Sequence, residues 1–69
     1  MTERTRHEMA QAINDLSRGQ FYVKQSGNDP EHENLFWFEV STGDVLSFTP
    51  FDSDKTLSWG LWNHGLLRT

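Results

Sequence analysis

The aromatic side chains of this chain are confined to one part of it. All nine (five Phe, three Trp and one Tyr) lie between Phe21 and Trp62, and the first twenty residues contain none. Each aromatic side chain buries about 150–250 Å² on folding, so this segment holds most of the capacity to form a core. Because the chain has no cysteine, neither disulfides nor thiolate metal sites supplement that core. The distribution predicts a polar, helical head and an aromatic body made of strands.

The charge is unevenly distributed as well. In residues 1–20 three acidic residues balance three basic ones, whereas the rest of the chain carries the whole formal net charge of −4. An acidic body repels phosphate backbones, and binding by counterion release needs a basic surface. The composition therefore disfavours nucleic acid as a partner and favours a protein with a basic patch.

A helix is predicted at about residues 5–18. Thr5 and Glu8 have the spacing of a capping box, in which a hydroxyl and a carboxylate bond the main-chain amides at a helix start. The apolar residues that follow recur at intervals of four and three, the pattern of one buried helical stripe. They are Met9, Ile13 and Leu16. Gly19 is suited to the left-handed conformation that ends many helices.

Three strands are predicted in the aromatic body, from alternating apolar residues and a high content of β-branched and aromatic residues. They span about residues 20–25, 34–40 and 45–49. Residues 26–33 are expected to form a loop, because they include glycine, proline and three acidic residues. Residues 41–44 are expected to form a short turn between the second and third strands.

The C-terminal segment is compatible with two structures. Alternating apolar residues, together with two glycines that weaken a helix, favour a fourth strand at about residues 56–62. The alternating residues are Leu57, Trp59 and Leu61. A short helix is the alternative, because Ser53 or Asp54 could cap its start and Gly65 lies just past its end. We predict the strand.

Together these elements predict one small α+β domain over residues 1–69, with the N-terminal helix packed on a small antiparallel β-meander of three to four strands. Strand alternation places a first group of side chains beneath the helix. This group is Phe21, Val23, Phe36, Phe38, Val40, Leu46, Phe48, Trp59 and Leu61. A single helix cannot cover both faces of the sheet, so a second group is expected on the opposite face. The second group is Tyr22, Leu35, Trp37 and Trp62.

The second group is the predicted partner-binding site, because Trp and Tyr are favoured anchors of protein interfaces. Three alternatives exist for the same face, and the first is that the C-terminal tail closes it. The sheet could curl and bury Trp37 internally, since large exposed apolar patches are unusual on monomers. A second copy of the chain could instead cover the face, which would give a homodimer.

No catalytic, cofactor-binding or metal-binding residue is predicted. A catalytic carboxylate needs an apolar pocket to raise its pKa, and Glu39 is the only acid within a strongly predicted strand. We expect Glu39 to reach solvent or to pair with Lys24 on the neighbouring strand. Residues 31–33 read Glu-His-Glu, but adjacent side chains of an extended loop point apart and do not form a metal site by themselves. The sequence contains no nucleophile elbow or phosphate-binding loop.

The composition favours a non-enzymatic protein-binding module, a regulator or inhibitor that docks through an aromatic sheet face with an acidic rim. One alternative is a nucleic-acid-associated domain that stacks bases on the same aromatic residues. Another is a structural subunit of a larger assembly. The first residues lack the apolar stretch of a signal peptide or membrane span, so a cytoplasmic location is expected.

Overall fold

The computed structural model describes residues 3–67, which form two helices and three strands. They are α1 (Arg6–Ser17), β1 (Val23–Asn28), β2 (Phe36–Val40), β3 (Val45–Phe48) and α2 (Asp54–Asn63). The strands form one antiparallel sheet in the order β1-β2-β3. Met9 and Ile13 of α1 are fully buried in the core that this sheet shares with both helices. The predicted α+β fold, an N-terminal helix on a small antiparallel meander, is confirmed.

Local sequence determines both ends of α1. Thr5 Oγ1 accepts a hydrogen bond from the main-chain N–H of Glu8 at 3.1 Å, and Glu8 Oε1 accepts one from the Thr5 N–H at 2.9 Å. These two bonds are the predicted capping box, and they satisfy amides that have no partner within the helix. At the other end, Arg18 and Gly19 both adopt positive φ angles, 52° and 80°, which turn the chain out of the helix.

The first strand lies further along the chain than predicted. The predicted span is residues 20–25, whereas β1 runs from Val23 to Asn28, so the prediction of a loop from residue 26 is wrong for its first three residues. Gly27 lies opposite Trp37 in the sheet. The indole covers the glycine so closely that a Cβ added there would lie 2.6 Å from a ring carbon. This cross-strand contact stabilises a segment whose own sequence favours a loop.

The second and third strands fall within their predicted ranges. Phe36 of β2 pairs with Phe48 of β3, and Phe38 pairs with Leu46. Because side chains alternate along a strand, these four residues share the face that meets the helices. The rings of Phe36 and Phe38 meet edge to face, with centroids 6.3 Å apart.

The C-terminal segment forms a helix, and the prediction of a fourth strand at residues 56–62 is wrong. The hydroxyl of Ser53 caps α2 by accepting an amide hydrogen bond in the first turn at 3.3 Å. Beyond the helix, Gly65 has a φ of 72°. Leu57 and Leu61 are four residues apart. This spacing would place them on one face of a strand, but it also places them on one face of a helix. Both are fully buried on that face.

α2 packs against β3 through the only glycine within the helix. Gly60 meets the ring of Phe48, where an added Cβ would lie 2.6 Å from two ring carbons. Trp59 is expected in the core from the strand prediction, but 65% of its surface is exposed because it lies on the outer side of the helix. The core consists of Met9, Ile13, Phe21, Phe38, Val40, Leu46, Phe48, Leu57, Leu61 and Leu66.

The segment before α1 is attached to the start of α2. The main-chain N–H of Arg4 donates to the carbonyl of Pro50 at 3.0 Å. The guanidinium of Arg4 donates to Asp54 Oδ1 at 2.8 Å and also to the main-chain carbonyl of Asp52. The carboxylate of Asp54 is largely exposed, so the ion pair contributes at most about 1 kcal/mol. Together the three contacts fix where the chain enters α1 relative to α2.

Candidate functional site

The sheet face opposite the helices carries fewer aromatic residues than predicted. In the described part of the chain, strand pairing places on it Gln25, Gly27, Trp37, Glu39, Val45 and Ser47. Trp37 is half-buried because its indole lies on Gly27. Glu39 accepts a hydrogen bond from the side-chain amide of Gln25, whereas the expectation was that it would reach solvent or pair with Lys24. Lys24 lies at an irregularity in the pairing of β1 with β2 and has no partner residue on β2.

Tyr22 and Leu35 lie at opposite ends of β2. The main-chain carbonyl of Tyr22 accepts a hydrogen bond from the Ser41 N–H at 2.8 Å, just beyond the last residue of the strand. Leu35 precedes the strand and is half-buried, and its carbonyl accepts from the Asp29 N–H at 2.9 Å. Tyr22 lies opposite Ser41, four residues from Trp37, so at about 3.4 Å per residue roughly 14 Å of strand separates the two positions. The three side chains are therefore spread along the sheet and do not form one compact cluster.

Trp62 is not part of the sheet face. It lies on α2, which packs on the other side of the sheet through Leu57 and Leu61. On a helix with 3.6 residues per turn, position 62 points away from the face that contains positions 57 and 61. The prediction that Trp62 shares a surface with Tyr22 and Trp37 is therefore wrong.

Trp62 instead shares a surface with Trp59. The two residues are three positions apart on α2, so their side chains are neighbours on one helical face. Their exposed fractions are 57% for Trp62 and 65% for Trp59. The Nζ of Lys55 lies 5.6 Å from the centre of the Trp59 ring, within the range of a cation–π contact. We call these three residues the indole face. The helical alternative for the C-terminal segment was the one sequence signal that could have identified it.

A groove separates the first turns of α1 from β1. It has a volume of about 480 Å³ and is open to solvent. Its helical wall is Thr5, Arg6, His7 and Ala10, and its other wall is Ser26, Asn28 and Phe36. This groove was not predicted, because it depends on the extension of β1 beyond residue 25.

One titratable group of the 29–33 loop, the carboxylate of Asp29, holds the main chain of the loop. Asp29 Oδ1 accepts hydrogen bonds from the main-chain N–H groups of Glu31, at 2.8 Å, and His32, at 3.2 Å. Over residues 3–67, no three His, Asp or Glu side chains converge to form a potential metal site. In the capping box, the Thr5 amide and hydroxyl hold the pKa of Glu8 below its usual value by stabilising the carboxylate. These hydrogen bonds hold the loop and the start of α1 in place.

Comparison with protein families, with curated proteins and with solved structures found no match to this chain. Within the described residues, neither helix is long and apolar enough to cross a membrane.

Proposed function

We propose that this chain is a small, non-enzymatic protein-binding module that acts in the cytoplasm as a regulator or inhibitor. The observation that supports the proposal is the indole face of α2, where Trp59 and Trp62 are both more than half exposed. Tryptophan is the residue type most enriched among interface anchors. Single exposed apolar side chains are common on proteins, but two adjacent indoles form a patch of the kind that marks interaction sites.

The area of this patch is large enough to anchor a complex. A tryptophan side chain buries up to about 250 Å², so covering the exposed parts of both residues would remove roughly 300 Å² from water. At about 25 cal/mol per Å², that corresponds to a gross gain on the order of 7 kcal/mol before the entropic cost of association. The helix already fixes the main chain of both residues, so binding has to order only their side chains.

The charge of the molecule favours a partner with a basic patch. The net charge of −4 comes from the residues after position 20, and several carboxylates are exposed or half-buried around the sheet and its loops. They include Asp29, Glu31, Glu33, Glu39, Asp44, Asp52 and Asp54. Exposed charges of this kind accelerate encounter with a basic partner more than they raise affinity.

The indole face is a better anchor than the sheet face. Trp37 is already half-buried on Gly27, so a partner has less indole surface left to cover there. Tyr22 is well exposed, at 59%, but lies at the far end of the sheet from Leu35. Within the set predicted from the sequence, we therefore retain Trp62 as the main anchor and pair it with Trp59.

A comparative capture experiment tests the proposal. The tagged protein, a Trp59→Ser/Trp62→Ser variant and a Tyr22→Ser variant would each be incubated with lysate of the source organism. Tyr22→Ser is the matched control, because it removes an aromatic residue of similar exposure from the other side of the molecule. We expect a protein that the wild type and Tyr22→Ser retain in near-equal amounts and that the double variant fails to retain.

The opposite pattern, loss only with Tyr22→Ser, would transfer the docking site to the sheet face and contradict the proposal. Specific binding of oligonucleotides at physiological salt would favour the alternative of base stacking, in which Lys55 beside Trp59 supplies the positive charge. Thermal melts of all three proteins establish that any loss of capture is not a loss of fold.

A further inference from the structure

The outer edge of β1 presents main-chain groups to solvent beside the groove at α1. The Tyr22 carbonyl bonds the Ser41 amide, and the Asp29 amide bonds the Leu35 carbonyl, so these positions of the chain face β2. In an antiparallel ladder the direction of the main-chain groups alternates from residue to residue. The main-chain groups of residue 27, two residues before Asp29, therefore also face β2. The N–H and C=O groups of residues 26 and 28 point the other way, toward the open edge of the sheet.

One end of this edge is already closed by α1. The side-chain oxygen of Asn14 accepts a hydrogen bond from the Val23 N–H at 2.8 Å, so the helix supplies the missing partner there. At the other end, Ser26 and Asn28 line the groove. Within residues 3–67, the main-chain groups of Ser26 and Asn28 form no hydrogen bond other than those of the β1–β2 pairing. An open strand edge of this kind accepts an added strand.

The groove beside this edge has an apolar base and one guanidinium group on its helical wall. Phe36 and Ala10 supply the apolar part, and Arg6 and His7 stand on the helical wall. The groove is lined by no carboxylate. The nearest acid of the same helix turn, Glu8, has its carboxylate engaged by the Thr5 amide. Arg6 is therefore the one permanent charge among the residues that line the groove, and it favours an acidic group there.

We propose that this groove binds an extended, acidic peptide segment of a partner protein, which adds to β1 as a fourth strand. Its main chain bonds the outward N–H and C=O groups of Ser26 and Asn28, as in other complexes formed by strand addition. Side chains two residues apart in the added strand enter the groove together. One of them is apolar and contacts Phe36 and Ala10, and the other is acidic and faces Arg6. This site is separate from the indole face, so either proposal can fail without the other.

The test is an NMR titration with a synthetic peptide. The probe is an end-blocked peptide of alternating sequence whose groove-facing residues are valine and aspartate, and the control peptide replaces the aspartate with lysine. We expect the amide resonances of Ser26 and Asn28 to shift with the acidic probe. The probe should bind at least about tenfold more tightly than the lysine peptide.

Two charge-matched variants locate the contact. Arg6→Glu should weaken binding of the acidic probe by about tenfold or more, whereas Arg18→Glu makes the same charge change at the other end of α1 and should have little effect. Equal losses with both variants would mean that only the overall charge matters and would contradict the site. Shifts confined to Val45 and Ser47 on β3, or no binding at millimolar probe, would also contradict it.

Discussion

Gly60→Ala is the substitution for which helix propensity and tertiary packing predict opposite effects. In the interior of a solvated helix, replacing glycine by alanine stabilises by about 1 kcal/mol, because glycine loses more backbone entropy on folding. In α2, however, the new Cβ would lie 2.6 Å from two carbons of the Phe48 ring. This ring is almost fully buried, so it has little room to move.

The packing effect should be the larger of the two. Extra carbon atoms in a well-packed core cost about 1–3 kcal/mol, so the expected net effect of Gly60→Ala is a loss of roughly 1 kcal/mol. With a urea m-value near 1 kcal/mol per M, the midpoint of unfolding should fall by about 1 M. Urea melts followed by circular dichroism measure this shift directly.

A double-mutant cycle with Phe48→Leu provides the control. Leucine removes the ring carbons that the alanine would meet, so Gly60→Ala should become neutral or stabilising in that background. If Gly60→Ala raised the stability of the otherwise unchanged protein by about 1 kcal/mol, the helix would not pack on β3 as described.

Further predictions concern α1, the sheet and the assembly state. Ile13→Ala should reduce the free energy of unfolding by about 2–4 kcal/mol in denaturant melts, because Ile13 is fully buried, and a loss below about 0.5 kcal/mol would contradict its packing. Trp37→Ala should cost about 1–3 kcal/mol, less than a fully buried tryptophan, and melts indistinguishable from wild type would show that its contact with Gly27 is unimportant. The Thr5 cap lowers the pKa of Glu8 from 4.5, so the wild type should be more stable than Glu8→Gln by its full margin above about pH 4.5. This margin should shrink as the pH falls through the lowered pKa, and melts that show a constant difference from pH 7 to pH 3 would contradict this. The homodimer expected from the sequence stays a prediction, and light scattering that reports 8.0 kDa at high micromolar concentration would contradict it.

The features that the sequence predicted correctly depend on residues close together in the chain. The capping box of α1 needs only Thr5 and Glu8, and the hydrogen bonds of the turn between β2 and β3 join Val40 to Gly43 and Asp44. Both form from hydrogen bonds within a few residues, so the local pattern is sufficient to identify them. The alternation of Phe36 and Phe38 likewise defined the buried face of β2.

The features that the sequence did not predict depend on contacts between distant segments. Gly27 reads as a loop residue until Trp37 is placed over it on the next strand. Gly60 weakens a helix in isolation, but it is the residue that allows α2 to approach Phe48. The positions of Leu57 and Leu61 fit both a strand and a helix, and only the packing of the helix distinguishes them.

The candidate site was affected by the same ambiguity. With a strand at residues 56–62, Trp59 belongs to the core and Trp62 to the opposite sheet face. With the helix that forms, Trp59 and Trp62 are neighbours on an exposed face. The aromatic composition therefore predicted an exposed aromatic patch. The conformation of the ten residues of α2 determines where this patch lies.

The most direct test of the indole face is the dissociation constant of the captured partner, measured by calorimetry for three folded proteins. We expect Trp59→Ala/Trp62→Ala to raise the dissociation constant by at least about 30-fold, equivalent to about 2 kcal/mol, with little change in melting temperature. Tyr22→Ala should leave the dissociation constant within about twofold of wild type. A double variant that binds as tightly as wild type would contradict the assignment of α2 as the docking surface.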